Sequence, residues 1–491
     1  MTAPDSNPAA AYDVIIGLEV HAQLATASKM FCGCSARFGA PPNTHTCPTC
    51  LGLPGALPTP NARAADLAVM VALALGCTVS PTSCFARKHY FYPDLPKGYQ
   101  ITQYDLPLAT GGVLSWRSAG RTCTVRLVRV HLEEDAGTSL HEGFADSARS
   151  AYLDFNRSGV PLVEIVTEPE LRSAADAAEF ARRLRATLVA IGASDANMEE
   201  GGLRCDANVS LRRRGESALG ARTEIKNLNS FRALRRALEF EIARQARVLD
   251  AGGRVDTDTR LWDEAGGCTI AMRTKEDSED YRYFPEPDLP PLALAPDRIA
   301  RLRAALPELP DARHARLASA YGLGDEDAAA MARTEATSAY FEAAAQASGD
   351  AAAACLWMRG ELSRRLEDAG LAIERSRVTP QALGALVRMA SSGVVSASAA
   401  KQILARMMAT GEAADAVAGA EGLLQESGLE AIEHLVDDTL SKHPAQVAQY
   451  RAGKRAVAGF LVGQVIKASG GRANPSAVDR LVRARLDSPV A

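Results

Sequence analysis

The chain has 491 residues, 47% of them hydrophobic and 23% charged, a globular balance that excludes wholesale disorder and suggests about three domains. Its 55 Lys and Arg face 59 Asp and Glu, for a net charge of -4, which excludes a uniformly basic nucleic-acid coat and leaves room only for a local basic patch. Ten cysteines in such a length are too few for a disulfide scaffold, and the expected setting is cytoplasmic.

The opening MTAPDSNPAAA carries neither a cationic start nor an apolar run, so it is expected to be a loose leader and not a signal peptide. A strand is predicted over Ile16–Leu24, where apolar Ile16, Leu18, Val20, Ala22 and Leu24 alternate with Gly17, Glu19, His21 and Gln23. With a period of two, Glu19 and His21 share one face. Next come Cys32-Gly-Cys34 and, twelve residues on, Cys47-Pro-Thr-Cys50. Two close pairs on a short loop suit tetrahedral Zn²⁺, and four thiolates leave no open position, so the role would be structural. An iron–sulfur site and a fortuitous cluster are the other readings of the same pattern. The apolar stretch Leu67–Val79 is 13 residues, short of the ~18 that cross a bilayer, and predicts a buried helix.

Val125–Leu132 predicts a strand running into Glu133-Glu134-Asp135, while Leu162-Val163-Glu164-Ile165-Val166 sets one carboxylate in an apolar run, where an unpaired charge is costly. Ser173 with Asp176 opens a helix carrying Phe180, Leu184, Leu188 and Ile191 on one stripe, with Gly192 as its stop. In the predicted strand Leu203–Arg212, Arg204, Asp206, Asn208, Ser210 and Arg212 form a polar face. Ser230 opens a second helix through Phe231, Leu234, Leu238 and Ile242, ended by Gly252-Gly253. The proline-rich Phe284–Leu292 cannot be helical and marks a boundary. Beyond Ala295 alanine-rich helical patterns dominate, with a weaker boundary near Gly411–Gly422. The fold class expected is therefore α+β: a mixed region over 1–294, an all-α domain over 295–415 and a small helical tail over 416–491.

Several carboxylates with one imidazole suit a divalent ion such as Mg²⁺ or Mn²⁺; pairing of the same acids with arginines is the alternative. No G-x-x-x-x-G-K-[ST], G-x-G-x-x-G or G-x-S-x-G motif is present. Near the end, Arg451, Lys454, Arg455, Lys467, Arg472, Arg480, Arg483 and Arg485 face the single acid Asp479. Such a cluster fits phosphate-backbone binding, the alternative being a helix surface balanced by acids elsewhere.

The segments IGLEVHAQL, RKHYFYPDLPKGYQITQYD, HLEEDAGTS, DFNRSGVPLVEIVTEPE, EEGGLRCDANVSLR, EIKNLNSF, DYRYFPEPDLP and GFLVGQVIKASGGRANP together closely resemble the B subunits of aspartyl/glutamyl-tRNA amidotransferases (GatB), from about Tyr12 to about Leu486. The resemblance implies an α+β cradle, a helical domain and a tRNA-contacting tail. It implies ATP-dependent phosphorylation of the side-chain carboxylate on Glu-tRNA(Gln) or Asp-tRNA(Asn), then displacement of phosphate by ammonia. It also implies a heterotrimer, completed by an amidase (glutaminase) partner that makes the ammonia and by a small third protein that clasps the two together. Matched by motif, Glu19, His21, Glu134 and Glu164 would hold Mg²⁺, and Cys32, Cys34, Cys47 and Cys50 would hold structural Zn²⁺. Lys88 and Lys97 would lie on the ammonia path, with Tyr90, Tyr92, Asp94, Arg204, Asp206 and Lys226 in the reaction chamber, the last three toward the nucleotide. Arg451, Lys454, Arg455, Lys467 and Arg472 would meet tRNA. Two other classes remain on the residues alone. A zinc-containing aminoacyl-tRNA synthetase would form AMP, although H-I-G-H and K-M-S-K-S are absent. A non-catalytic tRNA-binding protein would cleave no ATP.

Overall fold

The computed structural model describes residues 11–488 except 119, 120, 142, 145, 148, 275–280, 426–428, 471, 472 and 474. Two compact units divide the chain, one ending at Leu309 and the other starting at Pro310. The first is built on a ten-stranded sheet. Its main strands are β1 (Tyr12–Gln23), β4 (Arg121–Glu134), β5 (Pro161–Thr167), β6 (Leu203–Arg213), β7 (Thr223–Lys226), β8 (Asp258–Asp263) and β9 (Cys268–Thr274); β2 (Ala86–His89) and β3 (Tyr99–Thr102) form a separate small sheet with Phe284–Pro285. The large sheet runs β9-β8-β7-β6-β1-β5-β4, then Ala109–Thr110 and Thr78–Val79, and its tenth strand, Val113–Ser118, pairs with β4 off this path. Pairing is antiparallel throughout, except between β7 and β8.

Alternation in β1 and β6 sorts their side chains. Leu18, Val20, Ala22, Cys205, Ala207 and Val209 are buried in one apolar cluster with Phe180, Leu184 and Leu188 of α2 (Ala174–Ala190) and Leu234 and Leu238 of α3 (Phe231–Asp250). The helices thus cover the apolar face and leave the other for Glu19, His21, Arg204 and Asp206. Both helix starts are as the sequence predicts. Ser173 Oγ accepts from Asp176 N at 3.0 Å and Ser230 Oγ from Ala233 N at 3.0 Å, each satisfying an otherwise orphaned amide.

The first helix, α1 (Ala62–Ala74), is displaced from its predicted span. Asn61 caps it by accepting from Arg63 N and Ala64 N, so it begins ahead of the apolar run. It ends before Gly76, whose φ of 68° suits glycine, and Thr78–Val79 forms a short strand instead. The boundary near residue 294 also moves. Helix α4 (Pro296–Ala304) belongs to the first unit: Arg298 Nε meets Asp66 Oδ1 at 2.8 Å, and Ile299, Leu302, Leu306 and Leu309 pack on the main core.

The second unit is helical from Pro310–Tyr321 to Pro475–Asp487, with one isolated bridge at Val395 and Leu424. It holds two apolar clusters, one from Leu317 to Ala418 and one from Ile432 to Leu486. Val417 and Ala418 lie in the former, so that core continues past residue 415, where a boundary is expected. No helix among the described residues is long and apolar enough to cross a membrane.

Candidate active site

The antiparallel register turns four separate sequence motifs into a grid. Arg204 on β6, His21 on β1, Glu164 on β5 and His131 on β4 lie opposite one another in a single row. Two residues along, Asp206, Glu19, Val166 and Arg129 form the next row, and Gln23, Leu162 and Glu133 form a row on the other side. Strands about 4.8 Å apart and a two-residue repeat of about 7 Å concentrate these groups on one sheet face. All of them except Gln23 and Val166 line a polar cavity of about 570 Å³, together with Lys88 and Tyr90 of the β2 segment, Thr102 of β3, Tyr104, Lys226 of β7, Tyr281 and Tyr283.

At its centre one carboxylate oxygen serves two imidazoles. Glu164 Oε2 is 3.2 Å from His21 Nε2 and 3.2 Å from His131 Nε2, while Glu133 Oε1 is 3.9 Å from His21 Nε2. His21, Glu133 and Glu164 each offer a ligand atom within 4.8 Å of the others, the donor set of a hard or intermediate divalent ion. Burial opposes protonation of His21, but Glu164 and Glu133 outweigh it and push its pKa up to about 9. Burial likewise opposes the charge on Glu164, and His131 and His21 hold its carboxyl well below the usual range. Glu19 accepts from Asn208 Nδ2 at 3.1 Å, and burial together with Glu164 and Glu224 raises its pKa. Around this centre, Arg204 Nη2 meets Asp135 Oδ1 at 2.9 Å, and Lys226 Nζ meets Asp206 at 3.1 Å and Glu224 at 3.2 Å. Lys88 Nζ lies 4.9 Å from the Tyr281 ring centroid. Burial works against its charge, but Glu133, Tyr283 and Glu164 raise its pKa.

Glu134 does not join the centre. The predicted strand ended at Leu132, whereas β4 continues through Glu134, so consecutive Glu133 and Glu134 point to opposite faces. Glu134 instead accepts from Lys97 Nζ and, at 2.8 Å, from Ile101 N. Both partners of that ion pair line a second cavity of about 240 Å³ with Lys29, Cys32 and Cys50. Lys97 is therefore placed apart from Lys88. Tyr92 is exposed, and neither it nor Asp94, whose carbonyl accepts from Gly137 N at 2.8 Å, lines the polar cavity. Sequence reasoning missed His131 and Arg129, and named Glu133 only within the acidic run while matching Glu134 to the ion; the period of two already seen in β1 would have found all three on one face of β4.

The four clustered cysteines converge, each Sγ within 4.8 Å of the others. Tetrahedral thiolate ligation of Zn²⁺ at about 2.3 Å sets sulfurs about 3.8 Å apart, so the loop fits such an ion. Lys29, 1% exposed, donates to His45 O at 2.7 Å, Phe155 O at 3.1 Å and Cys50 Sγ at 3.6 Å. In the tail, Arg451, Lys454 and Lys467 are exposed. Arg455 is exposed as well, and also pairs with Asp487 and donates to Tyr450 Oη at 2.6 Å. Arg472 lies outside the described residues.

The fold and site define a class: a mostly antiparallel sheet with a carboxylate–imidazole cluster in a cavity lined by both acidic and basic side chains, without a glycine-rich phosphate-loop motif in the sequence. Within that class the chain belongs to the GatB family, matching the description "GatB/GatE catalytic domain" over residues 14–300 and "GatB domain" over residues 339–486. It is 51% identical to the B subunit of the aspartyl/glutamyl-tRNA(Asn/Gln) amidotransferase of Anaeromyxobacter sp. (strain K), over 98% of this chain and 99% of that protein. The proteins of the same name from Myxococcus xanthus (strain DK1622) and Moorella thermoacetica (strain ATCC 39073 / JCM 9320) are 48% and 49% identical, covering 98% and 97% of this chain and 99% and 100% of theirs.

Proposed function

We propose that the chain is the B subunit of a glutamine-hydrolysing amidotransferase that converts Glu-tRNA(Gln), Asp-tRNA(Asn) or both to the amide form. The observation that carries this reading is the convergence of His21, Glu133 and Glu164 in a cavity walled by Lys88, Arg204 and Lys226. A free carboxylate is a poor acylating agent, because oxide is not a leaving group. Transfer of the ATP γ-phosphoryl to the side-chain carboxylate makes an acyl phosphate and ADP; ammonia then adds at the carbonyl carbon and phosphate departs. His21, Glu133 and Glu164 would hold Mg²⁺, with Glu19 facing the same space. When bound, Mg²⁺ neutralises charge on the triphosphate as the phosphoryl group leaves. The chain's own part is to hold the reacting groups in line and shield them from water within this pocket. Lys88, Arg204 and Lys226 supply positive potential where negative charge accumulates.

Ammonia would come from an amidase (glutaminase) partner, with a small third protein completing the heterotrimer. Arg451, Lys454 and Lys467 would meet the tRNA backbone, and the four cysteines would hold structural Zn²⁺. The test is the complex purified from its own host, given ATP, Mg²⁺, glutamine and tRNA charged with labelled glutamate or aspartate. Release of labelled glutamine or asparagine with stoichiometric ADP supports the reading and identifies the substrate. No amide, even with ammonium replacing glutamine, refutes it. AMP and pyrophosphate in place of ADP would point to a synthetase.

A further inference from the structure

The cations of the polar cavity are not equivalent. Arg204 is paired with Asp135, and Lys226 with Asp206 and Glu224. Arg129 differs from these two and, like Lys88 and Arg222 of the same lining, forms no carboxylate ion pair among the described residues. It stands on β4 between Val166 of β5 and Thr110 of the neighbouring short strand, so neither cross-strand neighbour carries charge. Its side chain lines the cavity, its Nε, like that of Arg204, is buried without a hydrogen-bond partner, and, unlike Arg204, among the described residues it has no carboxylate in an ion pair with it. Thr102, 2% exposed and lining the same cavity, also has an unpartnered hydroxyl. A buried guanidinium or hydroxyl without an acceptor is destabilising, and native folds retain one chiefly where a ligand completes it.

The position of Arg129 says what that ligand is. On β4 it lies one two-residue step, about 7 Å, from His131, whose Nε2 meets Glu164 Oε2 at 3.2 Å. A fixed fork of N–H donors close to a cation centre, but not saturated by it, matches an oxyanion bridging the two. No glycine-rich loop supplies this function elsewhere in the sequence. We propose that Arg129 is an oxyanion-binding residue of this site, taking a phosphate of the nucleotide or the side-chain carboxylate that receives the phosphoryl group. The assignment rests on the proposed phosphorylation chemistry.

The test uses the complete complex carrying Arg129→Gln or Arg129→Lys. If the oxyanion is a phosphate, Arg129→Gln raises KM for ATP at least tenfold and weakens inhibition by ADP, while inhibition by adenosine, KM for aminoacyl-tRNA and Mn²⁺ binding hold. If it is the substrate carboxylate, KM for aminoacyl-tRNA rises instead, with that for ATP unchanged. Arg129→Lys keeps the charge without the fork and falls between; it also supplies the same readouts should the Gln variant misfold. Unchanged KM values, equal weakening of ADP and adenosine, or loss of Mn²⁺ binding would overturn the assignment. Should the wild-type complex form no amide, the functional reading fails separately. Arg129 is then judged by titrating inorganic pyrophosphate into wild type and Arg129→Gln, where equal affinity refutes it.

Discussion

Two adjacent glutamates with opposite orientations give a sharp test of how the site is built. In Glu134→Gln, the buried ammonium of Lys97, whose side chain is 8% exposed, loses a charged partner that is itself 3% exposed. Leaving one member of a buried ion pair uncompensated costs about 3–5 kcal/mol; Gln keeps the Oε1 that accepts from both Lys97 Nζ and Ile101 N, so what is lost is the charge. In Glu133→Gln the loss is different. The carboxylate is 3.9 Å from His21 Nε2, too long for a hydrogen bond, so only its charge toward His21 and Lys88 is lost and stability should change less than in Glu134→Gln. Outer-shell changes at metal sites lower affinity by about 10–100-fold, so loss of a ligand should lower it by at least about 100-fold. Chemical denaturation measures the first quantity; Mn²⁺ titration followed by electron paramagnetic resonance measures the second. Glu134→Gln is expected to be the more destabilised of the two with Mn²⁺ affinity nearly retained, and Glu133→Gln the less destabilised with Mn²⁺ affinity lost. The reverse pattern would refute the assignment of the two faces of β4.

Metal binding should also move a proton. With its pKa near 9 in the metal-free protein, His21 is protonated at pH 7.5, and a ligating imidazole must be neutral. Mn²⁺ titration in buffers of different ionisation enthalpy should report release of about one proton; buffer-independent heats would contradict this. The same raised pKa stabilises the metal-free fold fully below about pH 6.5, with up to about 3 kcal/mol lost as pH rises through 9, which unfolding curves across that range would show. Cys47→Ser should abolish stoichiometric zinc and lower the stability of the loop over residues 32–50; full zinc retention would exclude a four-thiolate site. Lys454→Gln and Lys467→Gln should each flatten the salt dependence of tRNA binding by up to about 0.9 in log K against log salt, and unchanged slopes would remove them from the interface.

Local rules carried much of the fold into the sequence. The alternation in β1 and β6 and the serine caps at Ser173 and Ser230 are decided by residues within one or two turns or repeats of each other, and all four stand where the pattern put them. Errors came where a distant partner sets the outcome. The helix before Gly76 stops short of its apolar run because Thr78 and Val79 find Thr110 and Ala109 to pair with. Helix α4 joins the first unit because Asp66 and the main core lie beside it, which its own alanine- and arginine-rich sequence does not reveal. β4 runs on through Glu134 because Pro161 and Leu162 of β5 pair with Glu134 and Glu133.

The candidate site divides along the same line. The sequence by itself determined which residue types were available: Glu19 and His21 on one strand face, Glu164 set in an apolar run, and two cysteine pairs on one short loop. Those facts depend on spacing along the backbone, which covalent geometry enforces. Only the tertiary structure decided that His21, Glu164 and His131 share a row, that Glu133 and not Glu134 completes the cluster, and that Arg129 is left without an acceptor. Those outcomes depend on strand register, set by hydrogen bonding between strands that are not neighbours in the sequence, and a slip of one residue would turn every one of these side chains to the other face.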